Sequence, residues 1–192
     1  DQFKDAKYSA ERERSVGLGV MGFHSYLQKQ RIPLESVMAK AWNKKIFKHI
    51  HEKVNQASKD LAEERGPCPD AADYGYKERF SNKTAIAPTA SISIICGGAS
   101  PGVEPVAANS YTHKTLSGSF NVRNRYLEEI LDKHGKNNDE VWSTITTNQG
   151  SVSHLDFLTE LEKDVFKTAF ELNQAWIVEL SGDRTPYISQ AQ

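Results

Sequence analysis

The residues with the most chemistry in them run Ala85-Ile86-Ala87-Pro88-Thr89-Ala90-Ser91-Ile92-Ser93. A short apolar run enters a Pro-Thr-Ala-Ser turn, and the turn opens into what reads as a helix. That order builds an anion site. The first N–H groups of a helix have no acceptor inside it, and they carry the positive end of its dipole. Small residues let an anion approach closely, and the hydroxyls of Thr89, Ser91 and Ser93 can donate as well. A threonine here can also simply cap the helix with its own oxygen. Spacing alone leaves phosphate binding and plain capping both open.

The other candidates read more blandly. Gly17-Leu18-Gly19-Val20-Met21-Gly22 spells G-x-G-x-x-G. A dinucleotide loop needs a buried strand in front of it and an acidic residue about 20 positions on, at the end of the next strand. Glu11-Arg12-Glu13-Arg14 is no buried strand, and Glu35 and Glu52 fall in or beside a helix. These glycines therefore read as small residues of a helix against which another element packs closely. His24, His49, His51, His113, His134 and His154 show no ligand spacing; His49 and His51, two apart on a helix, face away from each other. Cys68 and Cys96 read as one exposed and one buried thiol, not as a disulfide framework, and fit a reducing cytoplasm. Glu104, in Gly102-Val103-Glu104-Pro105, either orients a loop or is a plain exposed charge. Neither G-x-S-x-G nor G-x-x-x-x-G-K-[ST] occurs, and the acidic runs read as solvated helix faces.

Helices must position these residues. Residues 10–30 read as one helix and 35–65 as the clearest one, with apolar residues at helical spacing from Val37 to Leu61 and a stop at Gly66-Pro67. Residues 67–82 read as a loop, and 84–87 as a short buried strand feeding the turn. Residues 111–122 read as extended, interrupted at Ser117-Gly118. Asn124 is placed to cap a helix that runs to His134 and stops at Gly135. A short helix follows over residues 139–147. Thr159 and Glu162 form a capping box with Leu158 as its staple. The helix behind it carries Leu161, Val165, Ala169, Leu172, Trp176 and Leu180 and ends at Ser181-Gly182. The tail from Thr185 reads as strand or loop. Much helix with few, separated strands indicates the α/β class rather than a pure bundle, with too few strands to close a sheet.

The chain has 192 residues, 38% hydrophobic and 26% charged, as suits a single domain with a real core. Its formal net charge of -1 gives no basic excess for a nucleic-acid polymer. No apolar run is long enough for a membrane span, and no signal peptide precedes the first residue. Both ends read as cut from something longer.

Three linked segments carry a family resemblance: Ala87-Pro88-Thr89-Ala90-Ser91, Val103-Glu104-Pro105, and Tyr111-Thr112-His113-Lys114-Thr115-Leu116-Ser117-Gly118. In order and spacing they resemble the C-terminal half of the large, catalytic subunit of ribonucleotide reductase. Arg14-Ser15-Val16-Gly17-Leu18-Gly19-Val20, Leu61-Ala62-Glu63-Glu64-Arg65-Gly66 and Ile188-Ser189-Gln190-Ala191-Gln192 extend the resemblance over nearly the whole chain. It implies part of a ten-stranded α/β barrel and an enzyme that replaces the ribose 2′-hydroxyl with hydrogen by radical chemistry. By position, Thr89, Ala90, Ser91 and Ile92 would hold the diphosphate of a ribonucleoside diphosphate. The implied partners are the rest of the large subunit and a radical-generating small subunit, in the cytoplasm, with no nucleic-acid polymer and no membrane. The implied cofactors are a radical generator, either a metal centre on that small subunit or adenosylcobalamin, and a dithiol reductant; none is expected on this chain itself. The Pro-Thr-Ala-Ser and Tyr-Thr-His-Lys-Thr stretches favour class I over class II.

The family's radical cysteine, in Asn-x-Cys-x-Glu, has no counterpart here, and Cys68 and Cys96 do not match its redox pair. The loop before Asn82 is shorter than in many relatives. A chain with the phosphate side and without the radical cysteine is expected to be inactive alone. Two other readings stand beside this one: a non-catalytic helical interaction piece or half of a split enzyme, and a dinucleotide-binding oxidoreductase module built on residues 17–22.

Overall fold

The computed structural model describes residues 2–115 and 118–190. Asp1, Ala191 and Gln192 lie outside the described residues, as do Leu116 and Ser117, so the expected interruption at Ser117 is not assessed. The elements are α1 (Lys4–Glu13), α2 (Phe23–Lys29), α3 (Val37–Arg65), α4 (Pro69–Asp73), α5 (Ala90–Ile95), β1 (Ser110–Thr115), β2 (Gly118–Arg123), α6 (Arg125–Lys133), α7 (Asp139–Thr147), α8 (Glu160–Val165) and α9 (Gln174–Arg184), then a 3-10 turn, Thr185–Tyr187. The chain divides into two compact units, residues 1–19, 40–87 and 178–192, and residues 20–39 and 88–177.

In the first unit, α1 ends where Arg14 turns left-handed at φ 50. The expected helix over residues 10–30 is therefore corrected to two helices, with residues 14–22 running between them. The reason is close packing. A Cβ on Gly17 would lie 3.1 Å from the Ala85 Cβ, and one on Gly19 2.9 Å from the Ala85 carbonyl oxygen. The Leu18 N–H donates to Lys83 and its carbonyl accepts from Ala85. The expected strand at residues 84–87 reduces to this one parallel bridge, Leu18 with Thr84. On the other side, side chains do the pairing: Ser189 Oγ accepts from the Lys83 N–H at 3.2 Å, and Gln190 Oε1 from the Ile86 N–H at 2.6 Å. The stretch read as a loop contains α4, started by Pro69 in the first turn, where its missing N–H is harmless. Arg12 of α1 pairs with Asp70 at 2.6 Å and with Asp73.

The second unit holds a core of Leu127, Ile130, Leu131, Trp142, Ile145, Val152, Leu155, Leu158, Val165 and Phe166. It is framed by well-capped helices. Asn124 accepts from the Tyr126 N–H, Asn138 from Val141, and Thr159 with Glu162 makes the expected capping box. The single long helix expected behind Thr159 is corrected to α8 and α9. Phe166 leaves helical geometry after α8. Glu171 Oε2 then accepts from the Thr168 N–H at 2.8 Å, Glu35 Oε1 accepts the Asn173 N–H at 2.5 Å, and Asn173 Oδ1 accepts the Ala175 N–H at 3.0 Å. Side chains thus take the donors that a continuous helix would use. α9 also passes through Ser181-Gly182 to Arg184, because a glycine with open space around it costs only modest helix propensity. The extended stretch is an antiparallel hairpin, with Ser110 paired to Arg123 and Thr115 to Gly118.

Candidate functional site

The turn before α5 belongs to the second unit. Thr89 sits in the left-handed region at φ 51 and ψ 28. Such a conformation is costly for a β-branched residue and persists only where the surroundings hold it. Here the holder is Gly102, whose N–H donates to Thr89 Oγ1 at 2.7 Å. The capping alternative is thereby corrected: Thr89 makes no side-chain cap bond to α5. Its carbonyl accepts from the Ser93 N–H at 2.8 Å, which closes the first helical turn.

The loop that returns to Thr89 is fastened in turn to α2. Ser25 and Ser100 bond reciprocally, with the Ser25 N–H on Ser100 Oγ at 3.1 Å and the Ser100 N–H on Ser25 Oγ at 2.8 Å. The Gly22 N–H donates to the Ser100 carbonyl and the Phe23 N–H to Gly102. These contacts take up the N–H groups of Phe23 and Ser25 in the first turn of α2. At α5 the corresponding donors stay open. Among the described residues, no acceptor takes the N–H groups of Ala90, Ser91 or Ile92. Ser91 and Ile92 are exposed, Ala90 is exposed, and Thr89 is half-buried. The expected anion residues are thus adjacent at an open helix start. The Ser93 hydroxyl is not part of this set: it is buried and donates to the Ala90 carbonyl at 2.9 Å.

The remaining candidates scatter. Cys68 is buried and Cys96 exposed, one of each as expected. Glu104 is exposed and its N–H donates to Pro101. Among the described residues no three His, Cys, Asp or Glu side chains are grouped to hold a metal ion. His24 is fully buried, and burial pulls its pKa down to about 4. Its Nδ1 accepts the Val106 N–H at 3.0 Å. Since the backbone N–H must donate, Nδ1 is unprotonated and the neutral ring carries its proton on Nε2. Sequence reasoning did not find Gly102 or the Ser25–Ser100 pair. The signal available was Pro101-Gly102, a dipeptide that marks a special backbone turn.

A left-handed threonine, a latched return loop and three open N–H donors thus come together at one helix start in a helix-rich α/β frame. The family follows from comparison. The family described as "Ribonucleotide reductase, barrel domain" matches residues 1–79 and 70–192, and the chain belongs to it. It is 46% identical over 192 residues to the "Ribonucleoside-diphosphate reductase large subunit" of Invertebrate iridescent virus 3, covering 98% of this chain and 30% of that protein. With the protein of the same name from Invertebrate iridescent virus 6 it shares 48% over 188 residues, 96% of this chain and 19% of that protein. The solved structure of the "Actinobacillus ureae class Id ribonucleotide reductase alpha subunit" superposes with a TM-score of 0.88 at 40% identity, over 96% of this chain and 33% of that one. The chain spans about a third or less of the length of these relatives. The α/β barrel-domain assignment is thereby established.

Proposed function

We propose that this chain supplies the substrate-phosphate side of a ribonucleoside-diphosphate reductase large subunit. In this reading both compact units are parts of one barrel domain in a longer cytoplasmic protein. Residues 89–92 hold the diphosphate of a ribonucleoside diphosphate, through the N–H groups of Ala90, Ser91 and Ile92 and the Ser91 hydroxyl. The observation that carries it is the combination of those three open donors with a Thr89 conformation fixed by Gly102. Fixed donors cost no reorganisation when the anion arrives.

The reduction itself is assigned to the rest of the enzyme. A thiyl radical needs a cysteine against the ribose, and the Asn-x-Cys-x-Glu segment is not in this sequence. A class I arrangement, with the radical generated on a separate small subunit and a dithiol supplying electrons, is favoured by the 40% identity to a class Id alpha subunit. When bound, that generator would supply the oxidising equivalent; the residues described here would bind and orient the phosphates.

Pyrophosphate calorimetry on Ser91 variants tests the reading. Ser91→Ala should weaken binding only a few-fold, because the N–H donors remain. Ser91→Asp should abolish it by placing a carboxylate where the anion sits. Undiminished binding by Ser91→Asp would contradict the assignment.

A further inference from the structure

A second feature of the same unit lies alongside α5 rather than at its start. Ala90, Ser93, Ile94 and Gly97, spaced on one face of α5 and just beyond its end, line a cavity of about 460 Å³. Ser91 and Ile92 do not line it. The volume falls within the range of pockets that hold small organic ligands. Its walls are mostly apolar, from Ile94, Val106, Val122, Tyr111 and Tyr126, and no Asp or Glu is among its lining residues. Two arginines are, Arg123 and Arg125.

The two are not equivalent. Arg123 already pairs with Asp139 at 2.8 Å. Arg125 has no carboxylate partner among the described residues; its guanidinium donates to the Gly97 carbonyl and lies 5.7 Å from the Tyr126 ring centre. It is also the first residue of α6, the end of a helix at which a cation is disfavoured. An unpaired guanidinium at that end, facing an apolar cavity without acids, is complementary to an anion carried on an apolar body. One N–H of its fork is used on Gly97, and the others remain for bidentate recognition.

We propose that this cavity binds a small organic anion, with a planar or branched apolar body between Ile94, Val106 and Tyr126 and its carboxylate, sulfonate or phosphate on Arg125. Its charged anchor, Arg125, is distinct from the N–H donors of residues 90–92, although Ala90 lines the cavity and α5 belongs to both features. The idea does not depend on the phosphate assignment above.

The test compares two dyes of nearly the same shape on the intact chain, 8-anilinonaphthalene-1-sulfonate and uncharged N-phenyl-1-naphthylamine, read by fluorescence. Arg125→Gln keeps a donor for Gly97 and removes the charge. It should weaken the sulfonate about tenfold, the weight of one charge-assisted contact, and leave the uncharged dye unchanged. Ala107→Trp, at an exposed position on the cavity wall, should weaken both dyes while circular dichroism stays that of the parent. Pyrophosphate should not displace the sulfonate. Equal sulfonate binding by the parent and Arg125→Gln would overturn the proposal, since general adhesion to apolar surface does not need Arg125. Full displacement by pyrophosphate would overturn the claim of a separate site. Absence of pyrophosphate binding alone would count against the turn at residues 89–92 and not against the cavity.

Discussion

His24 shows how one buried ring sets a pH dependence. Its unfolded value near 6.5 falls to about 4 through burial. Above pH 6.5 both folded and unfolded rings are neutral, and the fold has its full stability. Between 6.5 and about 4 the unfolded ring takes a proton that the folded one refuses, so stability falls as pH falls. The loss should approach roughly 3 kcal/mol by the acid end of that window. His24→Asn offers an oxygen to the Val106 N–H and does not titrate. Urea melts from pH 7 to 4.5 should show a flatter slope for it, and an identical slope would remove His24 as the cause. Gly19 gives a second test at this scale. Its reading as a packing glycine was legible from the missing strand before it, although the surrounding helix was not real. A side chain there meets the Ala85 carbonyl, so Gly19→Val should cost about 1–3 kcal/mol in the same melts. Neither His24 nor Gly102 was legible as a positioning group, because what each touches lies far away in sequence: Val106 for one, Thr89 for the other.

The helix caps are where the sequence spoke most clearly. Asn124 and Thr159 cap as their residue types and spacing indicated, because a cap is a local bond, and Asn138 caps α7 in the same way. Thr159→Ala should cost about 1 kcal/mol. Asn124→Ala should cost more, about 2 kcal/mol, because the Asn124 amide also donates to Gln28 Oε1 at 2.9 Å and Asn109 Oδ1 at 2.8 Å, leaving buried acceptors unpaired. Chemical denaturation of the two variants side by side measures the difference; equal losses would mean the amide network contributes nothing. The break between α8 and α9 was not legible, since apolar spacing continues across it while Glu171, Glu35 and Asn173 take the backbone donors. α5 is the reverse of an ordinary amphipathic helix: Ser93 is 3% exposed, while Ile92, Ile94 and Ile95 are 57%, 38% and 84% exposed. Hydropathy alone would bury the isoleucines.

For the whole molecule, the family was legible because several motifs occur in order, and the sheet was not, because among the described residues the strands pair only within one hairpin and one bridge. The exposed isoleucines of α5, with Phe120 and Phe170, give the isolated chain apolar surface that invites self-association. Light scattering should show association that Ile95→Asp reduces, and a clean monomer at high concentration would contradict this. The chain alone, given ribonucleoside diphosphates, a radical source and a dithiol, should form no deoxyribonucleotide. An amide-resolved NMR titration with pyrophosphate reads the anion turn residue by residue. The largest shifts should fall together on Ala90, Ser91 and Ile92, with weak affinity. Shifts that cluster elsewhere, or none at millimolar pyrophosphate, would contradict it.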